Sequence, residues 1–251
     1  MKGEDGDTTP CEPVYIGPFW DVMLQTKNCA AMLRYCRRPT TTRIIWVDAI
    51  SLNQLGVQEK DTHIPKMAAI YRNCMRVVVY LGKEAAGDVV GKHPTRIEFD
   101  TLCGNDELIN AMLQSRYFTR VWVIQELTLP RQLIVPFRGC EYWADRTASA
   151  QLRDRWRESS VPWMEHMLQQ SFGNRTLGSA IRDTWSSNCA DSRDKLFAIL
   201  GLLKRDHDRN SDIFYFGYTY YDKIRTPLIQ PDHTISTLQL FVGLSVHLVM
   251  G

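Results

Sequence analysis

Between Phe118 and Leu129 an indole, an amide and a carboxylate fall within about one helical turn: Trp122, Gln125 and Glu126. Phe118, Val121, Trp122, Gln125 and Leu129 recur at helical spacing, which sets Gln125 in the centre of an apolar stripe and Glu126 at its margin. A carboxylate beside an indole loses water, which favours its protonated form unless a cation or amide pairs with it. Such a group can act as a general acid, a general base, or an orienter of a sugar hydroxyl. It can equally cap open backbone groups at a sheet edge, or pair with a structural arginine such as Arg193.

A second set of polar residues starts at Asp48, which closes the apolar run Ile44 to Val47 and precedes Asn53 and Gln54. Strand-end acids often bind ligands in α/β sheets, and they also cap the next loop through an Asx turn. Asn53 and Gln54 could grip a polar ligand through their amides or tie the loop to backbone. Arg120 and Arg193 could each neutralise a carboxylate or a phosphate. Asp194, in a first helical turn, complements the helix dipole. Asp48, Glu126 and Arg193 are expected to meet in space, because charges at the rims of buried elements lower their desolvation cost by converging. No GxxxxGK[ST], GxGxxG or GxSxG motif occurs. The six histidines show no HExxH or ligand pairing, so no metal site is expected.

These residues need elements to hold them. Ile44–Ile50 reads as a strand, 66–75 as a helix with Pro65 in its first turn, and Val77–Leu81 as a second strand. Together they predict a right-handed parallel βαβ unit. Residues 1–19 read as a disordered or loose lead. Trp20–Arg37 reads as a helix starting near Thr26 or Asn28, and 83–104 as a Gly-rich loop. Asn105 can cap a helix carrying Leu108, Ile109 and Met112. Pro130 ends the 116–129 helix, and Gln132–Phe137 reads as a strand. The charged, Trp-containing region 144–190 reads as helical with an inserted loop. Asp191 or Ser192 can cap a helix that runs through Leu196, Phe197 and Leu200 to a stop at Gly201. An aromatic-rich stretch covers 214–221, and Asp232–Thr234 can cap a last apolar helix.

At 251 residues, with 44% hydrophobic and 23% charged residues, the composition is that of a globular protein. A net charge of +2, with Arg153, Arg155 and Arg157 alternating with acids, argues against nucleic acid as the main partner. Seven cysteines without a CxxC pair, behind an acidic polar amino terminus, fit reduced thiols in the cytoplasm. The apolar stretch Leu238–Met250 is too short to span a bilayer.

Three blocks, in order and spacing, resemble the fungal heterokaryon-incompatibility (HET) domain. The first is Trp46-Val47-Asp48-Ala49 with Asn53-Gln54, the Met67–Tyr71 helix and Val78–Gly82. The second is Tyr117 to Glu126, an aromatic–Arg–Val–Trp–x–x–Gln–Glu run. The third is Asp191-Ser192-Arg193-Asp194-Lys195 followed by Leu200-Gly201-Leu202. Two departures stand out. The family's opening aromatic–Ser–Tyr–x–Trp–Gly pattern is replaced by PVYIGPFW, and Ser51 stands where the family usually has Cys.

The resemblance implies a signalling or effector module of incompatibility and programmed cell death, acting by self-association or by binding another protein. It implies an α/β fold with a mostly parallel sheet, flanking helices and a TIR- or flavodoxin-like core at about 28–140. A helical portion at about 144–251 would complete one domain over 20–251. A distant likeness to TIR domains, where a glutamate serves NAD cleavage, makes Glu126 the candidate catalytic residue of an alternative reading, with NAD as substrate and no other cofactor. A third reading is a truncated, inactive family member.

Overall fold

The computed structural model describes residues 9–37, 41–53, 56–87, 94–146, 162–169, 176–203 and 231–250. They fall into two units. The first combines Met1–Asn53, Val78–Phe118 and Leu133–Ala144, and the second combines Gln54–Val77, Thr119–Gln132 and Asp145–Gly251.

The first unit begins with an antiparallel hairpin of Glu12–Ile16 (β1) and Asp21–Gln25 (β2), where the sequence predicts a loose lead and then a helix. Gly17 and Trp20, both at positive φ, close its turn. Pro13 faces Leu24 and Tyr15 faces Val22, so strand alternation puts these four on one side. All four are exposed, and Phe19 and Trp20 extend the apolar surface at 86% and 70% exposure. The helix waits until Lys27–Cys36, where the Thr26 hydroxyl accepts the Cys29 N–H at 3.2 Å, the start the sequence predicts.

A four-stranded sheet follows in the order β3-β5-β6-β4, made of Val77–Val78 (β3), Thr95–Glu98 (β4), Leu133–Phe137 (β5) and Cys140–Ala144 (β6). β4 is parallel to β6, and β5 is antiparallel to it. Val77 and Val79 donate to the carbonyls of Gln132 and Ile134 at 3.0 and 2.8 Å. Both strands advance in step, the mark of a parallel pair. The expected α/β class with a mostly parallel sheet is therefore present. Arg138 and Gly139, at φ 46 and 81, form the two-residue β5–β6 turn, whose left-handed residues match strand twist. Gly87 packs on it so closely that a Cβ would meet the Gly139 nitrogen at 2.8 Å.

The predicted βαβ unit is not what forms. Residues 42–47 form no strand, and Ile44 is fully exposed. The Asp48 carboxylate accepts the Ala49 N–H at 2.7 Å and opens a one-turn helix, Asp48–Ser51, which ends the apolar run. The parallel neighbour of β3 is β5 instead. Within 83–104, read from sequence as a loop, lie helices Lys83–Ala86 and Phe99–Cys103 as well as β4. Asn105 caps helix Asp106–Leu113 as predicted, accepting the Leu108 N–H at 3.0 Å.

In the second unit the helix runs from Val57 to Asn73, with Pro65 in its interior rather than its first turn. An interior proline removes one helical hydrogen bond at a cost of roughly 3 kcal/mol. Burial of Ile64, Met67, Ala68 and Tyr71 offsets it. Of the predicted stripe, Phe118, Val121, Gln125 and Leu129 are buried and Trp122 is half-buried, but the helix is interrupted. A 3-10 turn at Arg116–Thr119 and helix Val123–Thr128 flank Arg120, which bridges to Asn188. Asp194–Leu200 forms the predicted helix before Gly201. The last helix, Thr237–Met250, is capped by Ser236 and Gln239, which exchange side-chain-to-backbone hydrogen bonds, rather than by Asp232–Thr234. The aromatic stretch 214–221 lies outside the described residues. No described helix is long and apolar enough to cross a membrane.

Candidate functional site

The densest polar cluster lies in the second unit, around the start of the Asp194–Leu200 helix. Asp194 is 5% exposed. It accepts the Trp122 indole N–H at 3.1 Å, faces His233 Nε2 at 3.2 Å, and stands 3.9 Å from the Lys60 ammonium. The other ring nitrogen of His233, Nδ1, meets the Asp61 carboxylate, which also accepts the His233 backbone N–H at 3.0 Å. Each imidazole nitrogen thus faces a carboxylate. The carboxylates of Asp61, Asp191 and Asp194 face the imidazole of His233 and the cations of Arg193 and Lys60, which offset the cost of burying them. The Phe197 ring stands edge-on to the imidazole, centroids 5.0 Å apart.

Arg193 closes the cluster. Its Nε and Nη2 donate to Asp191 at 2.9 and 2.6 Å, and its Nη1 donates to the carbonyls of His233 and Ile235 at 2.6 and 2.7 Å. The hydrogen bonds from Arg193 hold the Asp191 carboxyl down at about 2, against the opposing effect of burial. A carboxyl lowered from roughly 3.9 in the unfolded chain gives stability that is present above that value and lost as pH falls through about 2. We expect a contribution on the order of 2 kcal/mol. Unfolding free energies measured across acid pH should show this slope, and Asp191→Asn should flatten it. An unchanged slope in the variant would remove the assignment.

One turn beyond Trp122, Gln125 is fully buried, and its Nε2 donates to the Ala198 carbonyl at 2.6 Å. Its Oε1 is buried with no hydrogen-bond partner among the described residues. Trp122 and Gln125 thus stitch one segment to a helix about seventy residues downstream.

Residues 8–126 match the family model described as Heterokaryon incompatibility protein (HET). The chain carries a HET domain. Neither the curated proteins nor the solved structures give a match. The HET match ends at Glu126, so Asp191–Lys195 lies beyond it, and Trp122 and Gln125 reach from inside the match to that downstream helix.

The site residues predicted for the HET domain are placed as follows. Trp122, Arg193 and Asp194 come together in the cluster above, with Gln125 beside it. Glu126 is half-buried and engaged, while the guanidinium of Arg193 is directed to Asp191 and backbone carbonyls. Arg120 is half-buried beside Asn188. Asp48 and Asn53 belong to the first unit, with Asp48 at the start of its short helix and Asn53 exposed and engaged. Gln54 lies outside the described residues. Burial pushes the thiols of Cys29, Cys74 and Cys189 up, which makes them weak nucleophiles at neutral pH. No group of three metal-ligating side chains occurs among the described residues.

As parts of a site, Lys60, Asp61 and His233 were missed by sequence reasoning, and Asp191 was read only as a helix cap. Only Asp191 carried a local signal, its spacing of two from Arg193. His233 lies 172 positions from Asp61, and no periodicity spans such a gap.

Proposed function

We propose that this HET-domain chain serves heterokaryon incompatibility as a signalling module that acts by protein association, in the first place with a second copy of itself. The observation that carries this reading is the β1–β2 hairpin. Tyr15, Val22 and Leu24 on one face, with Phe19 and Trp20 at the turn, form an exposed apolar surface at the start of the family match. Contiguous exposed patches rich in Tyr, Trp and Phe mark interfaces. A two-stranded ribbon also leaves edges open to pairing, and the same edge on a second copy is self-complementary about a two-fold axis. The charged cluster supports the reading from the other side. Its carboxylates and cations satisfy one another, which suits a structural clasp better than a site waiting for substrate.

Light scattering over a wide concentration range tests the proposal. The chain should associate as concentration rises, and a Phe19→Ser, Trp20→Ser, Val22→Thr variant should stay monomeric with unchanged circular dichroism. A wild-type chain that stays monomeric throughout, or a variant that still associates, would overturn it. NAD consumption by the purified chain that vanishes in Glu126→Gln would replace it with the enzymatic reading.

A further inference from the structure

In the first unit, Glu141 on β6 is buried at 7% exposure. Its carboxylate accepts from the Tyr35 hydroxyl and from the Trp143 indole N–H, the latter at 3.3 Å. Both donors are neutral. A carboxylate has about four acceptor positions, and a buried one is costly without positive charge nearby. Arg96 stands opposite Glu141 in the β4–β6 register. Its guanidinium nonetheless lies 4.2 Å over the Trp143 ring and pairs with Glu98 at 3.1 Å. Glu98 draws the local cation away. Tyr35 and Tyr80, both half-buried, add a ring pair with centroids 5.7 Å apart.

We propose that Glu141, Tyr35 and Trp143 form a binding site for an organic cation bearing N–H donors, an ammonium or guanidinium group. The carboxylate supplies charge-assisted hydrogen bonds to such a group, and the aromatic rings supply cation–π attraction. Arg96 over Trp143 is a precedent within the protein, with the indole already taking a guanidinium on one face. The side chains come from helix Lys27–Cys36 and strand β6, so secondary structure holds them in place. The site is independent of the association proposed above.

Titration calorimetry with agmatine, with its neutral amide analogue and with a short arginine-containing peptide tests the site. Saturable binding of a guanidinium ligand, absent for the neutral analogue, is expected. Glu141→Gln should weaken it by roughly tenfold or more. Glu98→Gln, at an exposed position that leaves the core intact, should release Arg96 toward Glu141 and weaken binding by competition. Tighter binding of agmatine assigns the site to a small free cation, and tighter binding of the peptide assigns it to a partner's side chain. Either supports the proposal. Guanidinium ligands binding no better than the neutral analogue, or with affinity unchanged in Glu98→Gln and in any folded Glu141→Gln protein, would overturn it.

Discussion

Replacing Asp194 by alanine should cost about 3–5 kcal/mol of folding stability, the range for breaking one side of a buried ion pair. The residue is 5% exposed, and its two oxygens serve Trp122 and His233 with Lys60 at the margin. Alanine would leave the Trp122 indole N–H and the facing His233 nitrogen without their partner at a buried position. Asp194→Asn keeps an oxygen for Trp122 but turns an NH2 toward His233 and loses the charge, so its cost should fall between wild type and alanine. Urea unfolding of the three proteins gives the comparison. A loss under about 1 kcal/mol for alanine would mean that the pair behaves like a surface bridge.

Gly201→Ala should destabilise the chain by about 1–3 kcal/mol, the usual cost of overpacking. The reason is space rather than backbone freedom. Gly201 has φ −69, which any residue adopts. A Cβ there would stand 2.6 Å from the Ala68 Cβ and 3.0 Å from Gln125 Nε2. The glycine therefore sits where helix Val57–Asn73, the Gln125 amide and the end of helix Asp194–Leu200 come together. Ala68→Gly removes the nearer obstacle, although it costs about 1 kcal/mol of helix propensity by itself. A double-mutant cycle should show positive coupling between the two changes. Strict additivity would place the strain elsewhere.

Local chemistry was readable from sequence where a cap and its partner lie three residues apart. Asn105 caps its helix as read, through the Leu108 N–H, and the first helix starts at Thr26, one of the two starts read for it, through the Cys29 N–H. The buried faces were readable too, because Phe118, Val121, Gln125 and Leu129 are buried whether or not one helix carries them. What failed depended on distant partners. Ile44–Val47 has the composition of a strand, but a strand requires a neighbour, and no local pattern specifies one. The 118–129 helix is interrupted because Val121 donates to the Asn188 carbonyl at 2.9 Å, a partner found only in three dimensions. Gly201 was read as a helix stop. The position was right, yet its role is to admit Ala68 and Gln125. Trp122, Arg193 and Asp194 are legible in the sequence, whereas the His233 and Asp61 that complete the cluster are not.

Arg193 grips the carbonyls of His233 and Ile235, and Asp61 holds the His233 amide. Arg193 and His233, forty positions apart in sequence, are therefore joined directly. Closing such a span carries an entropy that grows only with the logarithm of its length, about 0.6 kcal/mol per doubling. By that scaling the clasp costs little more to close across forty positions than across about twenty, so its strength rests on its own contacts rather than on the length of chain between them.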